Sequence, residues 1–128
     1  MRIKRVYEPP SAADGRRILV ERLWPRGLTK QKARVDWWLK EAAPTSALRQ
    51  WFGHDPGKWR EFQRRYTAEL KANPHALQQL RAAAVAGRVT LVFAARDARR
   101  NSAVVLRRLL ERCQTPGDRH REMRKLGV

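Results

Sequence analysis

The run Val89-Thr90-Leu91-Val92-Phe93-Ala94-Ala95 is apolar almost without alternation. A strand with one wet face alternates apolar and polar residues. A strand that does not alternate has both faces covered, as at the centre of a parallel sheet. Two further runs read as strands: Arg2 to Tyr7, with Ile3, Val6 and Tyr7 as its apolar members, and Arg17 to Leu23, built on Ile18-Leu19-Val20. Helical periodicity fills the spaces between them. Strands alternating with helices predict an α/β fold: a small, largely parallel sheet with flanking helices, Rossmann-like, in two or three layers. Three strands are clear, and a fourth fits within a segment otherwise read as loop.

The punctuation between elements is explicit. Glu8-Pro9-Pro10-Ser11-Ala12-Ala13-Asp14-Gly15 reads as a loop, because two prolines and an Asp-Gly pair oppose regular structure. Val35, Trp38, Leu39 and Ala42 recur at helical spacing and predict a helix over 32–42, ended by Pro44. Thr45 or Ser46 caps a short helix burying Leu48, Trp51 and Phe52, which Gly53 closes. Asp55-Pro56 starts a helix with the stripe Trp59, Phe62, Tyr66 and Leu70. Asn73-Pro74 repeats the device for a helix that buries Leu77, Leu80 and Ala84 and stops at Gly87. Asn101 caps a last helix through about Arg112, with Leu106, Leu109, Leu110 and Cys113 inside. Residues 1–115 thus read as a single α/β domain, and 116–128 as a basic, partly disordered tail.

Composition narrows the chemistry. The 128 residues suffice for one domain with a real core. Cys113 is the only cysteine, so no intramolecular disulfide forms and no thiol-based metal site can be built within the chain. His54, His75 and His120 lack metal-ligand spacing, and no metal or cofactor is expected. The N-terminus has no apolar core of a signal peptide, and no apolar run is long enough to span a bilayer. The expected location is therefore the cytoplasm, away from membranes. The formal net charge of +17 favours polyanions, most strongly at low salt. Its bases are mostly arginine and are spread along the chain rather than gathered in an arm. General nucleic-acid binding is accordingly an alternative partner class, with a steep salt dependence as its signature.

Two turns carry the candidate chemistry. Leu23-Trp24-Pro25-Arg26-Gly27 follows the second strand, where α/β proteins place their sites. It sets Arg22 and Arg26 around Trp24, and guanidinium groups beside an aromatic plane suit phosphate, carboxylate or a stacked base. Ala95-Arg96-Asp97-Ala98-Arg99-Arg100-Asn101 leaves the central strand and enters a helix N-terminus, which favours an anion. If the two strands are parallel, both turns open on one edge and form one cationic crevice. The expected ligand site is Arg22, Trp24, Arg26, Arg96 and Asn101, taking an anionic small molecule or nucleotide. An enzymatic alternative draws acid–base chemistry from Glu21, Asp97 or Tyr7. His54-Asp55 is a weaker candidate, since Asp55 serves as a helix cap. Trp37 lies off its apolar stripe and covers a second cluster or belongs to an interface; the oligomeric state is not legible. No Walker loop, GxGxxG, GxSxG or zinc-deaminase pattern is present.

The order of blocks resembles one family. Lys4-Arg5-Val6-Tyr7, Leu19 to Gly27, Pro44 to Arg49, Phe62 with Tyr66 and Glu69-Leu70, and Val89 to Arg96 with Asn101 to Leu106 together are similar to the YeaO-like bacterial proteins, a domain-of-unknown-function family. The resemblance covers about residues 3–112. It implies a small cytoplasmic α/β protein and supplies no substrate. Relatives often carry Asp at the position of Glu21 and His at that of Ser102. If that His works as an acid–base group, Ser102 cannot repeat it near neutral pH.

Overall fold

The computed structural model describes residues 1–112. Cys113, His120 and the tail over 116–128 lie outside the described residues. Among the described residues four strands, β1 (Arg2–Arg5), β2 (Arg16–Leu19), β3 (Trp37–Trp38) and β4 (Val89–Phe93), form one sheet in the order β1-β4-β2-β3. All three pairings are parallel: Ile3 faces Leu91, Ile18 faces Leu91 from the other side, and Trp37 and Trp38 lie beside Ile18 and Leu19. The unalternating run is the interior strand it was expected to be, and every residue of β4 is buried.

Among the described residues, five α-helices accompany the sheet: α1 (Lys30–Ala33), α2 (Ser46–Phe52), α3 (Trp59–Lys71), α4 (Pro74–Ala86) and α5 (Ser102–Arg112). Helices α2 to α5 cover one face. There Ile18, Val20, Leu91 and Phe93 meet Phe52, Phe62, Tyr66, Leu80 and Leu106. The stripe read along α3 holds, with Phe62, Tyr66 and Leu70 buried. Caps form as the sequence indicates at Thr45, which accepts from Leu48 N–H, and at Asp55, which accepts from Gly57 N–H. Asn73 does not cap α4; its side-chain amide donates to Glu41 O.

The opposite face has a thinner cover. Val6, Leu19, Ala33 and Val92 pack there with Trp24, Leu28, Val35 and Trp38. Its floor is polar. Asp14, in a 3-10 turn over Ala12–Asp14, is buried between Lys4 and Arg17 at 3.2 Å and 2.9 Å. Arg17 also donates to Ala33 O and Val6 O, and Thr90 Oγ1 donates to Asp14 O. Burial pushes the Asp14 carboxyl upward, but hydrogen bonds from the Ser11 N–H, Arg17 and Lys4 outweigh it and hold the pKa below the ordinary aspartate value.

One expected element is absent: no helix runs over 32–42. α1 ends after Ala33, where Arg34 takes a left-handed conformation at φ 46°, and the chain then extends into β3. Asp36 N–H donates to Arg17 O and Leu39 N–H to Leu19 O, so pairing with β2 satisfies this backbone. Trp37 packs against the helical-side cluster and Trp38 against the other. That is the period-2 alternation of a strand, and aromatic residues favour it. The fourth strand thus lies in the segment read as a helix, not in one read as loop, because its apolar residues also match a helical spacing.

Candidate functional site

Because β2 and β4 are adjacent and parallel, the chain leaves both at the same edge of the sheet. The two exits, with the ends of β1 and α2, enclose a cavity of about 570 Å³. Arg26, Arg49, Arg96 and Arg100 line it, with the acids Glu21 and Asp97 and the aromatic residues Tyr7, Trp24, Phe52 and Phe62.

The first exit is tied down at each step. Val20 N–H continues the ladder to Val92 O, and Trp38 Nε1 donates to Glu21 O at 2.7 Å. Trp24 Nε1 donates to Leu28 O at 2.6 Å, and its ring stands edge-on to Trp38 with centroids 5.5 Å apart. Gly27 supplies the positive φ of 76° that turns the chain back. Tyr7 Oη donates to Arg26 O at 2.9 Å, joining the end of β1 to the tip of the turn. Arg26 is left exposed, with no ion pair among the described residues.

The second exit is equally organised. Arg5 Nε donates to Ala95 O. Asp97 accepts from the backbone N–H of Arg99 and Arg100, and these bonds hold its pKa below the ordinary value. Asn101 donates to Asp97 O and accepts from Val104 N–H at 3.1 Å, capping α5. Both ends of that amide are engaged, so Asn101 shapes the wall while Ser102 opens α5 onto the cavity. Arg96, like Arg26, is exposed and makes no ion pair among the described residues.

The expected residues therefore separate. Trp24, Arg26, Arg96 and Asn101 come together, as do Glu21, Asp97 and Tyr7. Arg22 does not: it is not among the residues lining the cavity and donates to Pro44 O and Ala43 O, bracing the segment before α2. His54 lines the cavity while Asp55 caps the following turn, so the adjacent pair does not act together. Arg49 was missed. It sits on α2, and nothing local to Thr45-Ser46-Ala47-Leu48-Arg49 says that this helix end meets the sheet edge; its only signal was membership of a recurring block.

Glu21 is the distinctive group. It is half-buried, and its Oε1 accepts from Ala94 N–H at 2.9 Å, linking the two exits. Burial pushes its carboxyl pKa above the ordinary glutamate value, against the pull of that N–H and the positive charges of Arg49 and His54. An acid raised on folding contributes stability below its unfolded pKa and loses that contribution as pH rises through the folded value. Glu21→Gln, whose amide oxygen can keep the Ala94 bond, should unfold at the same or higher urea concentration than the parent at pH 7. The difference should vanish toward about pH 4. Urea titrations at the two pH values check this; a lower midpoint for the variant at pH 7 would contradict it.

The sequence model of a family described as "Inactive DUF488-N3 subclade" matches residues 1–124. The chain belongs to this DUF488-N3i family. The chain of this DUF488-N3i protein is 43% identical over 110 residues to the uncharacterised protein Rv3073c of Mycobacterium tuberculosis, covering 86% of this chain and 92% of the relative. It is 39% identical over 103 residues to the uncharacterised protein YeaO of Escherichia coli, covering 80% of this chain and 90% of YeaO. The YeaO-like membership read from the ordered blocks is thereby established. No solved structure matches the chain. Among the described residues of this DUF488-N3i protein, no helix is long and apolar enough to cross a membrane, and no group of His, Cys, Asp and Glu is placed to hold a metal ion.

Proposed function

We propose that this protein binds a phosphate-bearing or otherwise anionic, nucleotide-like ligand in the cavity at the carboxyl edge of the sheet. The observation that carries the reading is the meeting of Arg26 and Arg96 from two different loops, both without an ion-pair partner among the described residues, on one concave surface. Arg49 and Arg100 add positive charge, and the start of α5 adds backbone N–H groups. The loops are held by hydrogen bonds to backbone, so the ligand does not have to organise them first. Binding without turnover fits the family's description as inactive.

Ribose 5-phosphate is a suitable probe, because it offers the phosphate without a base. Arg26→Gln and Arg96→Gln should each weaken it by about tenfold, the size of one charge-assisted hydrogen bond. Because both side chains are exposed and make no ion pair among the described residues, the melting temperature should change by no more than about 2 °C. Unchanged affinity in both variants would defeat the reading. Uniform weakening with salt and no response to either substitution would instead indicate general polyanion binding by the +17 chain.

A second reading, an enzyme acting on the same class of ligand, is favoured by one observation: Glu21 faces the cavity with a raised pKa, the state of a proton-transferring carboxylate. Asp97 gives it no support, since its Oδ1 accepts from two N–H groups of its own turn and its Oδ2 faces the Arg100 guanidinium. The second reading requires turnover of a nucleotide that Glu21→Gln abolishes; ligand returned chemically unchanged from the parent protein counts against it.

A further inference from the structure

We infer that Glu21 reads an N–H donor on the ligand, so that the guest is a nucleoside monophosphate whose base presents a donor edge, guanine being the best match. This deepens the anion-site reading and rests on it for the phosphate end alone.

A site built only for an anion has no use for a carboxylate inside it. Glu21 nevertheless lines the cavity, with its charge set against any phosphate placed beside it. Its orientation is locked, because Oε1 is held by Ala94 N–H from the neighbouring strand's exit and the preceding backbone is held through Trp38 Nε1 to Glu21 O. Among the described residues Oε2 makes no hydrogen bond. A fixed, half-buried carboxylate oxygen without a donor is a recognition element for a group that brings one. The surroundings specify the shape of that group. Phe52 and Phe62, stacked with centroids 4.3 Å apart, line the cavity together with Trp24 and Pro25, and an apolar wall suits a flat base better than a hydrated ammonium. Reading a base by hydrogen bonds to its pairing edge between apolar side chains is an established mode of recognition. Guanine carries adjacent N1–H and 2-amino donors and no charge of its own. A carboxylate with two oxygens accepts both, which leaves the phosphate to the exposed Arg26 and Arg96 on the flanking loops.

The test is calorimetric titration of the full chain at pH 8 and fixed low salt with guanosine 5′-monophosphate, ribose 5-phosphate and O-phosphoserine. These three are run on the parent, on Glu21→Gln, Glu21→Asp, Arg26→Gln and Arg96→Gln, with circular dichroism confirming that each variant is folded. The expected result is that the guanine nucleotide binds at least about tenfold more tightly than ribose 5-phosphate, with Glu21→Gln removing that advantage without weakening ribose 5-phosphate. Glu21→Asp, which keeps the charge and shortens its reach, should retain part of the advantage. Equal affinity for the nucleotide and the sugar phosphate overturns the inference and leaves the anion site standing, as does O-phosphoserine matching the nucleotide. A nucleotide that needs Glu21 but ignores Arg26→Gln and Arg96→Gln does the reverse: the phosphate site falls and base reading survives. Failure of all three probes to bind overturns both.

Discussion

Asp14→Ala is expected to cost about 3–5 kcal/mol of unfolding free energy, the range for removing one partner of a buried ion pair. The residue joins the three longer strands. Its carboxylate receives Lys4 from β1 and Arg17 from β2, and its carbonyl receives Thr90 Oγ1 from β4. Truncation leaves the Arg17 guanidinium buried with only carbonyl oxygens around it, and a buried cation without its counter-ion carries most of the penalty. The same group makes the fold acid-sensitive with a definite sign. An aspartate whose pKa is lowered on folding contributes its stability above the unfolded pKa and loses it as pH falls through the folded value. The parent should therefore lose stability on acidification below about pH 4, while Asp14→Asn should show a smaller change over the same interval. Urea unfolding at several pH values measures both effects. A change under about 1 kcal/mol for Asp14→Ala would mean that the triad is not held as described.

Gly15→Ala should be comparably damaging for a different reason. Gly15 sits at φ 62°, ψ −135°, a region that residues with a side chain avoid. A Cβ there would lie 2.5 Å from both Arg88 Cβ and Arg88 O, and 2.8 Å from the Arg88 carbonyl carbon. The contact is with backbone, which cannot swing aside, and Arg88 O is the acceptor for Arg16 N–H at 2.9 Å where β2 begins beside β4. Strain and overpacking together predict a loss of about 3–5 kcal/mol. The loss should appear as a lower urea midpoint with little change in the spectrum of the molecules that still fold. Tolerance of alanine would show that the β2–β4 approach is looser than the geometry implies. The two substitutions are adjacent and share the start of β2, so the double variant should lose less than the sum.

Both residues bear on the cavity only through the sheet. Asp14 and Gly15 lie at the end of β2 away from the cavity, and they hold β2 in register with β4: Arg16 beside Val89, Leu19 beside Val92. That register puts Glu21 where Ala94 N–H can bind it, and brings the Trp24-Arg26 turn and the Arg96-Asn101 turn onto one surface.

Much of this was legible from local sequence because the physics there is local. The uninterrupted apolar run at Val89 announces an interior strand whatever surrounds it. The Thr45 and Asp55 caps, and the stripe of Phe62, Tyr66 and Leu70, depend only on neighbours within a turn or two of helix. The two candidate turns were also found locally, as proline- and glycine-marked ends of strands. Tertiary structure decided the remainder. Trp37 and Trp38 became a strand because β2 offered unpaired backbone, which outweighs a helical spacing of apolar residues. Arg22 went to the carbonyls of Ala43 and Pro44, and Arg49 to the cavity, because a long flexible side chain goes wherever the fold leaves an acceptor or an open surface. Sequence by itself determined which segments could be strands, helices and turns. Which cations line the cavity and which brace the backbone was decided by distances between residues far apart in the chain, and those exist only once the sheet has formed.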